Sequence, residues 1–177
     1  MTRKKNIFVI IGSASSKSAN EKLVVHFAKL TKDTFNVTVF KDLKTLPHFD
    51  PELSIDNPPI KVIEFRQHVE TADAILICTP EYLFSIPSGL KNGIEWCVAT
   101  KVFTDKPIGI ITASANGQKG HEEIQLIMKT VMAKFTKETA LLIQGIKGKI
   151  DINGQITDTK TVDNFNEFIT GLKNLTS

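Results

Sequence analysis

Short apolar runs alternate along this chain with longer segments in which apolar residues recur at three- and four-residue spacing. The run Ile7–Ile11 predicts a first, buried strand. Over Asn20–Thr31, Leu23, Phe27 and Leu30, with Val24 and Ala28 beside them, form a helical face. Phe35–Phe40 sets Phe35, Val37 and Val39 against Asn36 and Thr38, the two-residue period of an edge or half-covered strand. Leu46–Pro59, rich in Pro, Asp and Asn, reads as a loop. A helix over Ile60–Thr71 is expected to turn Ile60, Ile63 and Val69 inward. Ala74–Thr79 is the most apolar strand and stops at Pro80. Leu90–Ala99 predicts a helix, Ile108–Ala113 a fourth strand and Ser114–Gly120 a polar loop. Glu122–Phe135 predicts a helix with Ile124, Ile127, Met128 and Val131 on one face, and Ala140–Gln144 a fifth strand. Asn153-Gly154 within Ile150–Ile156 signals a type I′ hairpin. Val162–Leu175 is the last helix, with Phe165, Phe168, Ile169 and Leu172 facing in.

Strands that are apolar on both sides and alternate with helices argue an α/β fold: a parallel sheet with helices on both faces, a three-layer sandwich. Five strands in this sequence suit the flavodoxin-like order 2-1-3-4-5. In that order ligands bind at the carboxyl ends of the strands where the winding reverses, so the loops after strands 1, 3 and 4 are the ones to inspect. With 177 residues and no linker, repeat or low-complexity stretch, residues 1–177 are expected to form a single domain.

Composition narrows the function. A net charge of +3 is too small for a dense nucleic-acid-binding stripe. Cys78 and Cys97 match no metal spacing and cannot build a disulfide framework, which makes a reducing, cytoplasmic setting the expectation. Arg3, Lys4 and Lys5 before Ile7–Ile11 imitate the start of a signal peptide. The apolar run is shorter than the roughly 7–15 residues such a segment needs, and a buried strand is the better reading. No apolar stretch reaches the roughly 18 residues of a membrane helix.

The first loop, Gly12-Ser13-Ala14-Ser15-Ser16-Lys17-Ser18-Ala19-Asn20, runs into a helix. Hydroxyls and exposed amides at a helix N-terminus suit a phosphate, and the helix dipole adds to them. Neither the P-loop nor the G-x-G-x-x-G pattern is present. The residues alone leave two readings open: a phosphate cradle, or a Ser-rich turn in which Ser18 caps the helix.

The segment from Pro80 to Trp96 is more specific, and it resembles the signature of the NADPH-dependent FMN reductase family, P-E-Y-N-x-S-x-P-G-x-L-K-N-A-I-D-W. Pro80, Glu81, Tyr82, Ser85, Pro87, Leu90, Lys91, Asn92, Ile94 and Trp96 match as they stand. The first loop is similar to that family's G-S-x-R-x-x-S-x-N through Gly12, Ser13, Ser18 and Asn20. Ala115-Asn116-Gly117-Gln118-Lys119-Gly120 resembles a worn S-x-G-x-x-G.

The resemblance implies a flavodoxin-like enzyme that passes electrons from NADPH or NADH through bound FMN to a small acceptor: a quinone, azo compound, flavin or metal oxyanion. It implies that Ser13, Ser15, Lys17, Ser18, Ala19 and Asn20 surround the FMN phosphate. It further implies that Pro80, Glu81, Tyr82, Leu83 and Phe84, with Ser114, Asn116 and Gly117, wall the flavin ring. The flavin carries the hydride chemistry, so no protein acid, base or metal is expected to be catalytic.

Four departures stand out. The family arginine is Ser15, with Lys17 a possible substitute as a point charge, which bears on NADPH against NADH. The Asn after Tyr82 is Leu83, the Gly after Pro87 is Ser88, and the Asp before Trp96 is Glu95. Two other functions compete: a flavodoxin-like electron carrier, against which the positive charge speaks, and a decayed flavoprotein.

Several residues remain. His26, His48, His68 and His121 lack ligand spacing and read as surface histidines, with His121 a lesser candidate for substrate contact. Cys78 reads as inert packing, and Glu81 as a general base or, more readily, a structural carboxylate bonding the following turn. Ile94, Trp96, Cys97 and Val98 span more than one helical face. Met128, Met132 and Phe135 lie on the neighbouring helix, and the resemblance adds that family members pair through these helices, so a homodimer or tetramer is expected.

Overall fold

A computed structural model describes residues 3–177. Five strands alternate with helices in the order β1 (Lys5–Ile11), α1 (Ala19–Leu30), β2 (Phe35–Phe40), α2 (Ile60–Thr71), β3 (Ala74–Thr79), α3 (Ser88–Glu95), β4 (Ile108–Ser114), α4 (Gln118–Thr130), β5 (Ala140–Gln144) and α5 (Thr159–Leu175). All neighbouring strands run parallel, in the order β2-β1-β3-β4-β5. This is the expected sheet. Because β1 and β3 lie side by side, in register at Ile10 and Ile77, their two exit loops leave the sheet at adjacent points.

Two cores form, one on each face. Ile7, Val9, Ile11, Leu76 and Cys78 pack under α1 and α5 with Phe27, Phe165 and Phe168. Phe8, Ile10, Ile75 and Ile77 pack under α2, α3 and α4 with Phe65, Trp96 and Ile124. Burial on both faces is why the central strands are continuously apolar. Edge strand β2 buries only Phe35 fully and leaves Val39 exposed.

Five local expectations are corrected. α2 buries Val62, Phe65 and Val69, whereas Ile60 and Ile63 face solvent. The helix is rotated so that Phe65 reaches Phe8 and Phe40, with ring centroids 6.0 and 5.1 Å away. In α1, Leu30 is exposed; Leu23, Val24 and Phe27 form the buried face.

α3 ends at Glu95 rather than continuing to Ala99. Trp96 turns into the core instead, fully buried, with Nε1 donating to the Pro47 carbonyl at 2.8 Å and the Trp96 carbonyl accepting from the Arg66 guanidinium. Ile94, Trp96 and Cys97 therefore all pack inside this chain, and of the four residues read as a pairing surface only Val98 stays exposed. α4 begins four residues earlier than expected, at Gln118, and ends at Thr130, with Met132 left-handed at φ 60°.

The 150–156 segment does fold back, with an antiparallel bridge between Ile150 and Ile156. The turn is not type I′, since Gly154 has positive φ and Asn153 does not. Gly154 N donates to the Asp151 carbonyl, and the Asp151 carboxylate accepts from Gln155 N at 2.8 Å. No helix among the described residues is long and apolar enough to cross a membrane.

Candidate functional site

The loop after β1 begins at Gly12, where no side chain fits. A Cβ there would lie 2.3 Å from the Thr79 hydroxyl oxygen on β3. Ser13 follows, nearly buried, its Oγ accepting from Ser15 N at 3.2 Å and standing 3.4 Å from the Tyr82 hydroxyl. Ser15 and Lys17 are exposed, and Lys17 is left-handed at φ 57°. Ser18 caps α1: its Oγ accepts from Glu21 N at 3.1 Å, and the Glu21 carboxylate accepts from Lys17 N at 2.9 Å.

What this loop leaves unpaired is informative. The backbone N–H groups of Ser13, Ala14, Ser16, Ser18, Ala19 and Asn20 have no acceptor among the described residues. Donors gathered at the positive end of a helix form an anion cradle. Of the two sequence readings of Ser18, the helix cap is observed, and the geometry leaves room for the other. Its oxygen caps the helix, and its hydroxyl proton remains available to the cradle.

Asn20 points the other way. It is buried, with Nδ2 donating to the Ala113 carbonyl at 3.2 Å and Oδ1 within 3.4 Å of the Cys78 thiol. Its side chain ties α1 to β4, while its amide stays with the loop. Burial pushes the Cys78 thiol well above its ordinary range, so it is inert. Cys97 is likewise pushed up, to about 12, by burial.

The second loop is braced at its ends, while the backbone N–H groups of Glu81, Leu83 and Phe84 have no acceptor among the described residues. Tyr82 and Ser85 exchange both backbone hydrogen bonds, at 2.9 and 3.0 Å, around a two-residue turn formed by Leu83 (φ 50°) and Phe84 (φ 59°). Leu83 is 96% exposed and Phe84 73%. At the base of the turn, Glu81 sends one carboxylate oxygen to Gly117 N (3.2 Å) and the other to Gly120 N (2.9 Å), occupying the N-terminus of α4. Its carboxylate is thus structural, but its partners lie in the third loop and not in the following turn. Glu123 returns the contact from α4, accepting from Ser85 Oγ at 2.6 Å and from Ile86 N at 3.0 Å.

The third loop supplies the surface that receives Glu81. Gly117 is left-handed at φ 85°, and a Cβ on Gly120 would meet the Glu81 side chain at 3.2 Å. Ser114 Oγ donates to the Glu81 carbonyl at 3.4 Å, and Asn116 Oδ1 accepts from Gln144 Nε2 at 2.9 Å. Pro80 is buried beneath these contacts. His121 corrects the sequence reading, because it is buried, its Nδ1 2.8 Å from the Thr112 hydroxyl, and burial holds its pKa below the ordinary value. His48 and His68 are exposed, as expected, although His68 stacks on Phe8. His26 is half-buried against Phe165.

A cleft of about 640 Å³ opens between the first two loops. Ser13, Ser15 and Tyr82 line it, joined by residues that sequence reasoning missed: Lys41, Lys44, Leu46 and His48 from the β2–α2 connection, and Ser88 and Asn92 from α3. The missed connection leaves the same end of the sheet, one strand beyond β1. That position was its available signal. Lys41 bonds Glu21 at 3.0 Å, and this ammonium holds the Glu21 carboxyl below its ordinary range. Lys17, Ser18, Ala19, Asn20, Pro80, Glu81, Leu83, Phe84 and the third-loop residues are not in its lining.

The structure also gives the signature's polar residues a physical role. Asn92 Oδ1 accepts from Phe49 N at 2.7 Å and its Nδ2 donates to the Pro47 carbonyl, which Trp96 also binds. Ser85 engages Glu123, and Lys91 approaches it at 3.9 Å. These side chains pin the cleft-forming segments to the helices behind them.

Comparison with known proteins agrees with this geometry. The family profile described as NADPH-dependent FMN reductase matches residues 5–142. Over 187 aligned residues the chain is 25% identical to a quinone reductase of Escherichia coli (strain K12), covering 98% of this chain and 100% of that protein. It is 30% identical to a 2-hydroxy-1,4-benzoquinone reductase of a Burkholderia species, covering 88% and 87%. Among solved structures, FerB of Paracoccus denitrificans, a flavoenzyme NAD(P)H:(acceptor) oxidoreductase, superposes with a TM-score of 0.85 at 25% identity, covering 97% of each chain.

Proposed function

This chain belongs to the NADPH-dependent FMN reductase family, and on that premise we propose that it is an FMN-containing NAD(P)H oxidoreductase delivering electrons to quinone-type acceptors. The observation that carries the reading is the set of unpaired amides at the head of α1, opening on a cleft whose opposite side holds Tyr82. The cradle is one short loop and fits one monophosphate, which favours FMN over a dinucleotide flavin. FMN, when bound, supplies hydride acceptance and onward electron delivery.

The polypeptide's part is to hold and to shape. The free amides of Ser13, Ala14, Ser16, Ser18, Ala19 and Asn20 and the hydroxyls of Ser13 and Ser18 bind the phosphate. Lys17 and Lys41 provide the positive charge that Ser15 lacks. Pro80, Glu81, Tyr82, Ser114, Asn116 and Gly117 form a wall that is already locked in place. Leu83 and Phe84 project beside it as an apolar rim for a flat acceptor. Residues 1–177 act as one FMN-binding unit, and two free, buried cysteines suit a reducing, cytoplasmic compartment. A homodimer is supported by the exposed Val98, Leu126 and Met132 beside the cleft-bearing helices.

Anaerobic addition of NADH or NADPH to the purified yellow protein tests the function, with bleaching expected for at least one and recolouring on adding a benzoquinone. Chromatography of heat-released flavin is expected to give FMN. A colourless chain that refuses added FMN would refute the reading. Light scattering decides the oligomeric state.

A further inference from the structure

Two-residue hairpin turns with both residues left-handed are built from Asn and Gly, because any branched or bulky side chain strains there. Here that turn is Leu83-Phe84, with φ angles of 50° and 59°, and no other pair of adjacent residues in the described chain shares the feature. Neither side chain is covered by the rest of the chain, so packing does not hold the turn. What holds it lies underneath. Ser85 Oγ and Ile86 N both donate to one oxygen of Glu123, while the Glu81 carboxylate fastens the other end of the turn to Gly117 and Gly120. Strain persists only where the surroundings over-determine it. The two carboxylates are that over-determination, and both anchor in α4.

We propose that Glu123, working with Glu81, is a positioning residue for the acceptor: it latches the strained 82–85 turn so that Leu83 and Phe84 stand as a fixed apolar rim. The proposal rests on the function inferred above. Without the latch the turn relaxes to right-handed or open conformations, and the two side chains no longer share one face. The family signature that this segment resembles has an asparagine where Leu83 stands, a residue at ease in the left-handed region. This chain has exchanged that intrinsic ease for apolar surface and is correspondingly dependent on the latch.

Hydrogen exchange in the full chain, read on the peptide covering 82–87, tests the latch without any flavin. Glu123→Ala, which removes both bonds to that carboxylate, is expected to speed exchange there by about tenfold or more. In a chain already carrying Leu83→Asn and Phe84→Gly, the same Glu123→Ala change is expected to alter exchange by less than about twofold. No acceleration, or equal acceleration in both backgrounds, overturns the proposal. In the FMN-loaded protein, Glu123→Ala is expected to raise KM for a naphthoquinone about tenfold, with kcat and flavin content retained. The KM for ferricyanide, which needs no apolar rim, is expected to hold. Equal losses with both acceptors overturn the positioning role. If the unmodified chain fails to oxidise NAD(P)H, the functional reading falls while the exchange measurement still decides the latch.

Discussion

The loop after β1 and the turn after β3 leave adjacent strands at the same end of the sheet, yet they are built on opposite plans. The first keeps most of its backbone donors unpaired and most of its side chains small, and its main internal bonds serve to cap α1. The second pairs its polar groups at the base with α4 and turns two large apolar side chains outward. The difference follows from what each must receive. A charged group is recognised by donors left unsatisfied until it arrives, whereas a flat apolar ring is recognised by shape, which has to exist beforehand.

The strongest way to break the comparison is at the point both loops share. Gly12→Ala drives a methyl group into Thr79, at the exit of β3, so both loops are displaced together. Urea denaturation is expected to show a loss of about 3 kcal/mol or more, at the upper end for overpacking.

The next test separates the two roles found in the first loop. Ser18→Ala is expected to weaken FMN binding by about 1.5–3 kcal/mol through loss of a charged hydrogen bond, and folding by only about 1 kcal/mol through loss of the cap. Asn20→Ala is expected to do the reverse, costing about 2 kcal/mol of folding because the buried Ala113 carbonyl loses its donor. Equal effects of both changes on flavin titration and thermal melts would show that the loop does not divide its labour this way.

Leu83→Asn sharpens the contrast from the other side. It relieves left-handed strain, and the melting temperature is expected to rise by the equivalent of about 1 kcal/mol. The ratio of kcat/KM for a quinone to that for ferricyanide is expected to fall. An unchanged ratio would place position 83 away from the acceptor.

The smallest effect concerns the support behind the latched turn. Burial depresses the pKa of His121, so its neutral form is favoured on folding. That contribution is complete above the unfolded value near 6.5 and is lost as pH falls below it. Stability is therefore expected to decline between pH 7 and 5, less steeply in His121→Asn, whose amide can still reach Thr112. The residual decline reports other groups, His26 among them, whose pKa is also lowered by burial.

Much of this was legible in the chain. The sheet order and both exit loops follow from apolar runs, because strands buried on two faces leave a one-dimensional signature. Helix faces were less legible. In α2 two overlapping apolar spacings compete, and the choice of Val62, Phe65 and Val69 over Ile60 and Ile63 is made by Phe8 and Phe40, which lie far away in sequence. The end of α3 is decided by Pro47 and Arg66, again at a distance. The same holds at the site. The loop after β1 was readable as a turn rich in donors because its chemistry is local backbone, whereas Glu123 and Lys41 reach their partners only through the fold.

One feature of the core gives the protein a built-in optical reporter. Trp96 is the sole tryptophan, shielded from water, edge-on to Phe49 and bonded through its indole to Pro47. Its emission is therefore expected to be blue-shifted and unimodal, and to overlap the near-ultraviolet absorption band of a flavin. Energy transfer then makes FMN uptake visible as quenching of intrinsic fluorescence, with no label attached. A red shift of the same band under denaturant reports separately that the segment around Pro47 has come away from α3.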